Sequence, residues 1–423
     1  MKKRLLPMAA MLLTVFFATV WLQTAGQPTV PVPTHTLRVA LWDYGVVGYD
    51  KEIISRFMAE YPDIKIEVVS YPPAYYDDSL EAMLNSGERL DVIYANQLAQ
   101  FSMLAARGVP LPLDDLAARD GIDLSSYPDT EVLCDPQTGA LSGLPYREDK
   151  FMLYYNKDLF DRAGVPYPQP GMTWQQYHET AHTLTERLQA EDPALWGAYF
   201  LNKERHMFYY MSAQPFDWAD DPFSLAAPGL SLLLQMERDG SIPPFSLAEG
   251  RSDSQRLFET GRYAMYVHGS WFMNFLSADQ QAGLVNFNWG VTERPVWSAD
   301  TPNQNDAWLT PLCINRSTTE PEAAWTFVKY VCGAKGAETL AQDLMLPAYH
   351  SPQIDETLRQ RLTQSGIDPA LFLDGLSAPA PPLSAREQTL SDAVYAQYSR
   401  ALLSLDTVEE SIAQMETLRE TLP

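Results

Sequence analysis

The stretch Gly143–Pro168, GLPYREDKFMLYYNKDLFDRAGVPYP, decides how the rest of the chain is divided. Phe151-Met-Leu-Tyr-Tyr155 is almost continuously apolar and aromatic. A run of that length and composition reads as a buried strand rather than a helix. Asn156-Lys-Asp ends it, and a short helix to Ala163 stops at Gly164, a C′ glycine ahead of Val-Pro. Arg147, Glu148 and Asp149 stand at the entrance to this strand. They read either as an ordinary solvated turn or as the point where the chain crosses between two lobes, with Asp149 facing the gap.

Outward from this stretch, strands and helices alternate. Leu37–Trp42 and Ile64–Val69 read as strands. Between them lies an amphipathic helix, Lys51–Tyr61, with Ile53, Ile54, Phe57 and Met58 on one face, and together they make a βαβ unit. Ser79–Leu84, Asp91–Tyr94 and Gln97–Arg107 continue as helix, strand and helix. In a doubly wound α/β arrangement ligands sit beyond the carboxyl ends of strands, so Trp42-Asp43-Tyr44 and Ala95-Asn96-Gln97 are expected to border a cleft. Downstream, Thr173 caps a helix to Leu188 with Gln176 three residues on, a capping box. Asn202–His206 is expected to border the cleft from the far side. Tyr263–Val267 reads as a strand running straight into His268-Gly-Ser-Trp271. Strands at Asn288–Val291 and Ala307–Ile314, a helix at Pro321–Cys332 and a helical tail from Ala385 complete the pattern.

Composition narrows the function. The chain has 423 residues, more than one core usually holds, so two lobes are expected. A formal net charge of −24 argues against nucleic acid and anionic membrane surfaces as partners. Met1-Lys-Lys-Arg4 followed by apolar Leu5–Leu22 and small residues to Gly26 reads as a Sec-type signal over residues 1–26. It is also long enough to act as an uncleaved anchor that leaves the remainder outside the cytoplasm. A spacer follows over 27–36. Membrane association is expected only through this N-terminal segment, since no cysteine near it offers a lipid anchor. The three cysteines are too few for a disulfide scaffold. A Cys313–Cys332 bridge and buried free thiols are the two readings of them.

Five motifs in order carry a resemblance. They are RFMAEYPDIKIEVV, LDVIYAN, the opening stretch with MTWQQYHETAHTLT after it, FETGRYAMYVHGSW, and EAAWTFVKYVCGAKGAETLAQDLMLPAY. Together they resemble extracellular solute-binding protein family 1, the maltose-binding-like receptors of ABC sugar importers. The resemblance implies an α/β, two-lobe fold of the type II periplasmic-binding-protein kind, each lobe a sheet flanked by helices, hinged about a central cleft. It divides the chain into lobe 1 at 37–143, lobe 2 at 144–310, a return to lobe 1 at 311–355, and C-terminal helices of lobe 2 at 356–423. It further implies a monomer outside the cytoplasm that needs no cofactor, does no chemistry, binds a carbohydrate (an oligosaccharide) and hands it to ABC permease subunits. A membrane-tethered sensor of the same fold is the runner-up.

Site residues carry over position by position. Trp271 resembles the aromatic that stacks on a sugar face, which suits the apolar C–H faces of pyranose rings, while carboxylates and amides fix the hydroxyls. Asn96 and Asp149 match hydroxyl-binding positions. Trp42 and Tyr44 follow the first strand, where a cleft aromatic is frequent. Trp308 matches another aromatic position, with Asn305-Asp306-Ala307 standing where the family shows glycines, so Asp306 joins the candidates. Arg147 would meet an acidic sugar such as a uronate or pair with a neighbouring acid. Trp174 and Trp325 read as packing residues.

Enzymatic readings fare less well. Paired carboxylates are plentiful in so acidic a chain, and none sits in a glycosidase arrangement. His178-Glu179-Thr-Ala-His182 has the spacing of a zinc-protease helix. A chance pattern on a surface helix competes with it, and no third ligand follows at a convincing spacing.

Overall fold

The computed structural model describes residues 33–46, 48–127, 129–135, 137–200, 208, 211, 216–248, 254–298, 306–373, 378–379 and 384–422. The N-terminal signal and most of the spacer, the segment Asn202–His206, and the side chain of Asp306 lie outside this description.

Two sheets organise the chain. The first contains β1 (His35–Trp42), β2 (Ile64–Tyr71), β3 (Val92–Tyr94), β4 (Leu144–Asp149), β9 (Asp306–Ile314) and β10 (Ala378–Pro379), in the order β10-β9-β3-β1-β2 with β4 also on β9. β1 is parallel to β2 and β3, as βαβ crossovers require, while β9 runs antiparallel to β3 and β4. The second contains β5 (Phe151–Asn156), β6 (Trp196–Ala198), β7 (Tyr263–Gly269) and β8 (Trp289–Glu293), in the order β6-β7-β5-β8.

The strand at the centre of the opening stretch is buried on both faces, and its alternation shows how. Phe151 and Leu153 point into a core that also holds Trp174, Tyr177, Leu184, Leu230 and Leu390. Met152 and Tyr154 point into another, with Tyr266, Phe272, Leu344 and Leu358. Covering both faces removes the polar half of the pattern, hence the continuous apolar run. The first sheet has its own core, in which Leu37, Val39, Phe57, Val92, Leu312 and Trp325 pack together.

Three local expectations change. Leu144–Asp149 is a strand, not a loop or turn, and every residue in it is buried. Its pairing with β9 satisfies a backbone whose side chains look too charged for a core. The chain therefore changes sheets at Lys150, inside the segment expected to belong to lobe 2. Ala337, Leu344 and Ile354, expected in the return to lobe 1, pack in a core of the second sheet. Finally, Cys134, Cys313 and Cys332 are free thiols, so the Cys313–Cys332 bridge is not formed. Cys332 Sγ instead lies 3.6 Å from the Leu144 carbonyl. The capping box at Thr173 and Gln176 and the left-handed Gly164 after Ala163 are both present.

Candidate functional site

The place where the chain changes sheets is built from short-range pairings. Asp149 sits opposite Trp308 across β4 and β9, and two residues later Phe151 sits opposite Gly269 across β5 and β7. Ser270 binds both sides of the crossing. Its N–H donates to the Lys150 carbonyl at 2.7 Å, and its Oγ accepts from the Lys150 N–H at 3.1 Å and donates to Asp149 Oδ1 at 3.0 Å. One hydroxyl thereby serves as donor and acceptor at once.

Arg147, two residues before Asp149 on the same strand, is buried beneath this junction. Its Nε donates to Thr310 Oγ1 at 3.3 Å and lies 3.3 Å from Asp149 Oδ2. Nη1 donates to the Tyr49 hydroxyl at 2.8 Å, and the guanidinium carbon stands 5.5 Å from the centre of the Trp42 ring. Nearby, the Tyr146 hydroxyl donates to Asp50 Oδ1 at 2.8 Å. Burial works against the charge on Arg147, yet Tyr49, Asp149 and Asp50 outweigh it and hold its pKa above the ordinary value. Burial pushes Asp149 up to about 6, with Arg147 and the Ser270 hydrogen bond opposing. Asp50 is pushed up to about 6 for the same reason, opposed by Tyr146 and Arg147.

Aromatic rings surround the first residue of β5. Trp271 and Trp308 both meet Phe151 edge-to-face, at centroid distances of 5.9 and 5.8 Å. Trp271 is half-buried and packs against the first-sheet core and a second-sheet core together. Its indole folds back over Gly269, where a Cβ would lie 2.0 Å from the ring. His268 supports the same indole edge-on at 5.1 Å and is itself held by the Tyr266 hydroxyl at 2.9 Å and the Gln255 amide at 3.0 Å. Trp42 leans on Tyr76 at 5.4 Å, and the Tyr76 hydroxyl donates to the Tyr94 carbonyl at 2.7 Å.

Four of the candidates from sequence are thus gathered at one place: Trp42 and Asp149 through Arg147, Trp271 and Trp308 through Phe151. Tyr44 and Asn96 lie at the carboxyl ends of β1 and β3, half-buried, their N–H groups held by Ser70 Oγ at 3.1 Å and Gln100 Oε1 at 2.7 Å. Asp149 is 2 % exposed and has each carboxylate oxygen engaged, so it serves the network rather than an open gap. Sequence reasoning missed Tyr49, Asp50, Tyr146, Ser270 and Thr310. Tyr49 and Asp50 carry no local signal for this role, because they act through Arg147 and Tyr146, far along the chain.

The His178–His182 pair lies elsewhere. His178 Nε2 meets Asp239 Oδ2 at 2.5 Å, His182 Nδ1 stands 4.0 Å from the same carboxylate, and Glu179 accepts from the Gln175 amide at 3.0 Å. Among the described residues, no group of three or more His, Cys, Asp or Glu side chains could hold a metal ion.

Comparison with known proteins places this geometry. Residues 46–338, well over half of the chain, match the family described as bacterial extracellular solute-binding protein. The arabinooligosaccharide-binding protein of Bacillus subtilis is 31% identical over 135 residues, 31% of either chain. The sn-glycerol-3-phosphate-binding periplasmic protein of Shigella dysenteriae is 26% identical over 277 residues, 59% of either chain. The chain thus spans between about a third and three fifths of the length of these relatives. The ABC substrate-binding protein of Listeria monocytogenes in complex with cycloalternan shares the fold, with a TM-score of 0.79 at 19% identity, over 92% of this chain and 99% of that one. Relatives of this kind are binding proteins, which agrees with a site made of ring faces and buried ion pairs. The chain belongs to the bacterial extracellular solute-binding protein family.

Proposed function

We propose that this protein captures a carbohydrate, an oligosaccharide, outside the cytoplasm by closing two lobes around it, and delivers it to the permease of an ABC transporter. The observation that carries the reading is the position of Trp271, half-buried, packed against both lobe cores and beside the sheet crossing. An indole there presents an apolar face to a pyranose ring from a residue that feels the movement of both lobes. Trp308 across Phe151 and Trp42 above Arg147 add further ring surface at the same end of the first sheet. Closure is a population shift driven by ligand contacts with both lobes. The apolar N-terminal segment suits export and retention at the membrane, and the protein acts as a monomer.

A thermal-shift screen of the full chain against mono- and oligosaccharides tests this reading. A ligand that binds only the folded state raises the melting temperature once it exceeds its dissociation constant. A shift with one sugar class supports the reading and names the ligand, whereas no shift with any sugar rejects it.

A further inference from the structure

We propose that the protein selects uncharged sugars and rejects phosphorylated or carboxylated ones, because the buried cations at the sheet crossing already have acids beside them. This rests on the carbohydrate reading above and narrows it. The question is open among relatives, whose names divide between an arabinooligosaccharide and sn-glycerol-3-phosphate.

Arg147 is the residue on which an anion would have to act. Its guanidinium is the natural fork for a carboxylate or phosphate. Here Nε is directed at Thr310 and Asp149, Nη1 at Tyr49, and the plane stands near the Trp42 ring. The other buried cation of the crossing, Lys150, donates to the Phe372 carbonyl at 3.1 Å and feels the charge of Glu148. Against these two cations stand three buried acids, Asp50, Glu148 and Asp149. Ionised, the cluster carries a net charge of −1.

The helix that begins beside Arg147, through Tyr49, does not reverse this balance. Gly48–Glu60 begins at the carboxyl end of β1, where its N-terminus would welcome an anion, but Asp50 already occupies its first turn. A phosphate carries nearly two negative charges. Beside Arg147 it would compete with Asp149 for the guanidinium, weakening the hold on a buried carboxylate, or settle among the three acids. Either arrangement is unfavourable in a site removed from water. A sugar hydroxyl meets no such obstacle, since it can both donate and accept. Arg147 is accordingly a positioning residue, holding Asp149 and Trp42 in place, rather than a contact for ligand charge.

Isothermal titration of the full chain at neutral pH provides the test. The probes are the mono- and oligosaccharides of the thermal-shift screen, arabino- and maltooligosaccharides among them, together with sn-glycerol-3-phosphate, glucose 6-phosphate and glucuronate. We expect at least one uncharged sugar to bind, and the charged compounds to bind about a hundredfold more weakly or not at all, the penalty of like charges brought together. In Asp149→Asn, which frees the charge of Arg147, the preference should move toward the phosphorylated compounds by about tenfold or more. If that variant does not fold, the comparison in the unmodified chain decides alone. Binding of glycerol phosphate, glucose phosphate or glucuronate at least as tightly as any uncharged sugar would overturn the inference while leaving a receptor. Absence of binding by every probe would remove the carbohydrate reading itself, and this inference with it.

Discussion

Trp271 and the two raised carboxyls make opposite demands on their surroundings. The indole is half-buried and, in the role proposed for it, would meet a ligand with its uncovered part, while Asp149 and Asp50 are buried to the point that their protons are held to about pH 6. Trp271→Ala should fold, since the residue is only half-buried, and should weaken sugar binding by about 2 kcal/mol, roughly thirtyfold in Kd. Unchanged affinity in a folded variant would take Trp271 out of the site. The carboxyls make a separate prediction. Their folded values lie above the ordinary 3.8, so between that value and about 6 the folded chain binds more protons than the unfolded one. Their contribution to stability is therefore complete below about 3.8 and is lost as pH rises through about 6. Across this window the melting curves of the parent should lose stability relative to Asp149→Asn as pH rises, with the difference between them changing most steeply between 3.8 and about 6 and levelling off above it. Two curves that stay parallel would show that Asp149 does not titrate there.

At the scale of single elements, the close approach of ring to backbone at Gly269 is the most exposed to change. A methyl group there would meet the Trp271 indole at 2.0 Å, so Gly269→Ala must turn the ring out of its place. The expected result is a loss of sugar affinity close to that of Trp271→Ala, together with a shift in tryptophan emission. Retained affinity would mean that the ligand does not use this face. Removing the cap at Thr173 should act on stability alone. Thr173→Ala deletes the hydrogen bond to the Gln176 N–H and costs about 1 kcal/mol. A Kd that changed along with the melting temperature would tie that helix to the site.

These elements also show what could be read in advance. β5 was legible because covering both faces leaves nothing but apolar residues, and the capping box at Thr173 because capping is local chemistry. β4 was not, since Arg-Glu-Asp signals solvent to any reading based on hydropathy. The ladder to β9, the hydroxyls of Tyr49, Thr310 and Ser270, the Arg147–Asp149 pair and the charge of Lys150 beside Glu148 explain why those charges are buried. Trp271 and Trp308 could be picked out because their surroundings resemble the family's motifs. Tyr49 and Asp50 could not, because their role arises from contacts with residues almost a hundred positions away.

For the whole molecule, what matters is how the two sheets are tied. The chain passes between the two sheets and their cores from β4 to β5, from β8 to β9, from Cys332 to Ala337, from the helical turn Ala370–Leu373 to β10, which pairs with the start of β9, and from β10 to the helix that holds Leu390. Lys150 links two of these passages. It is the residue at which β4 gives way to β5, and its ammonium donates to Phe372 just ahead of β10. Lys150→Met keeps the apolar stem and removes that tie. If the tie restrains opening, small-angle scattering of the ligand-free variant should give a larger radius of gyration than the parent. Saturating sugar should bring both to the same closed value. Affinity should fall by the factor through which the closing-competent population is reduced, with the bound state unchanged. Equal radii without ligand and equal affinities would mean that Lys150 only balances the charge of buried Glu148, and that the hinge is set by the strands alone.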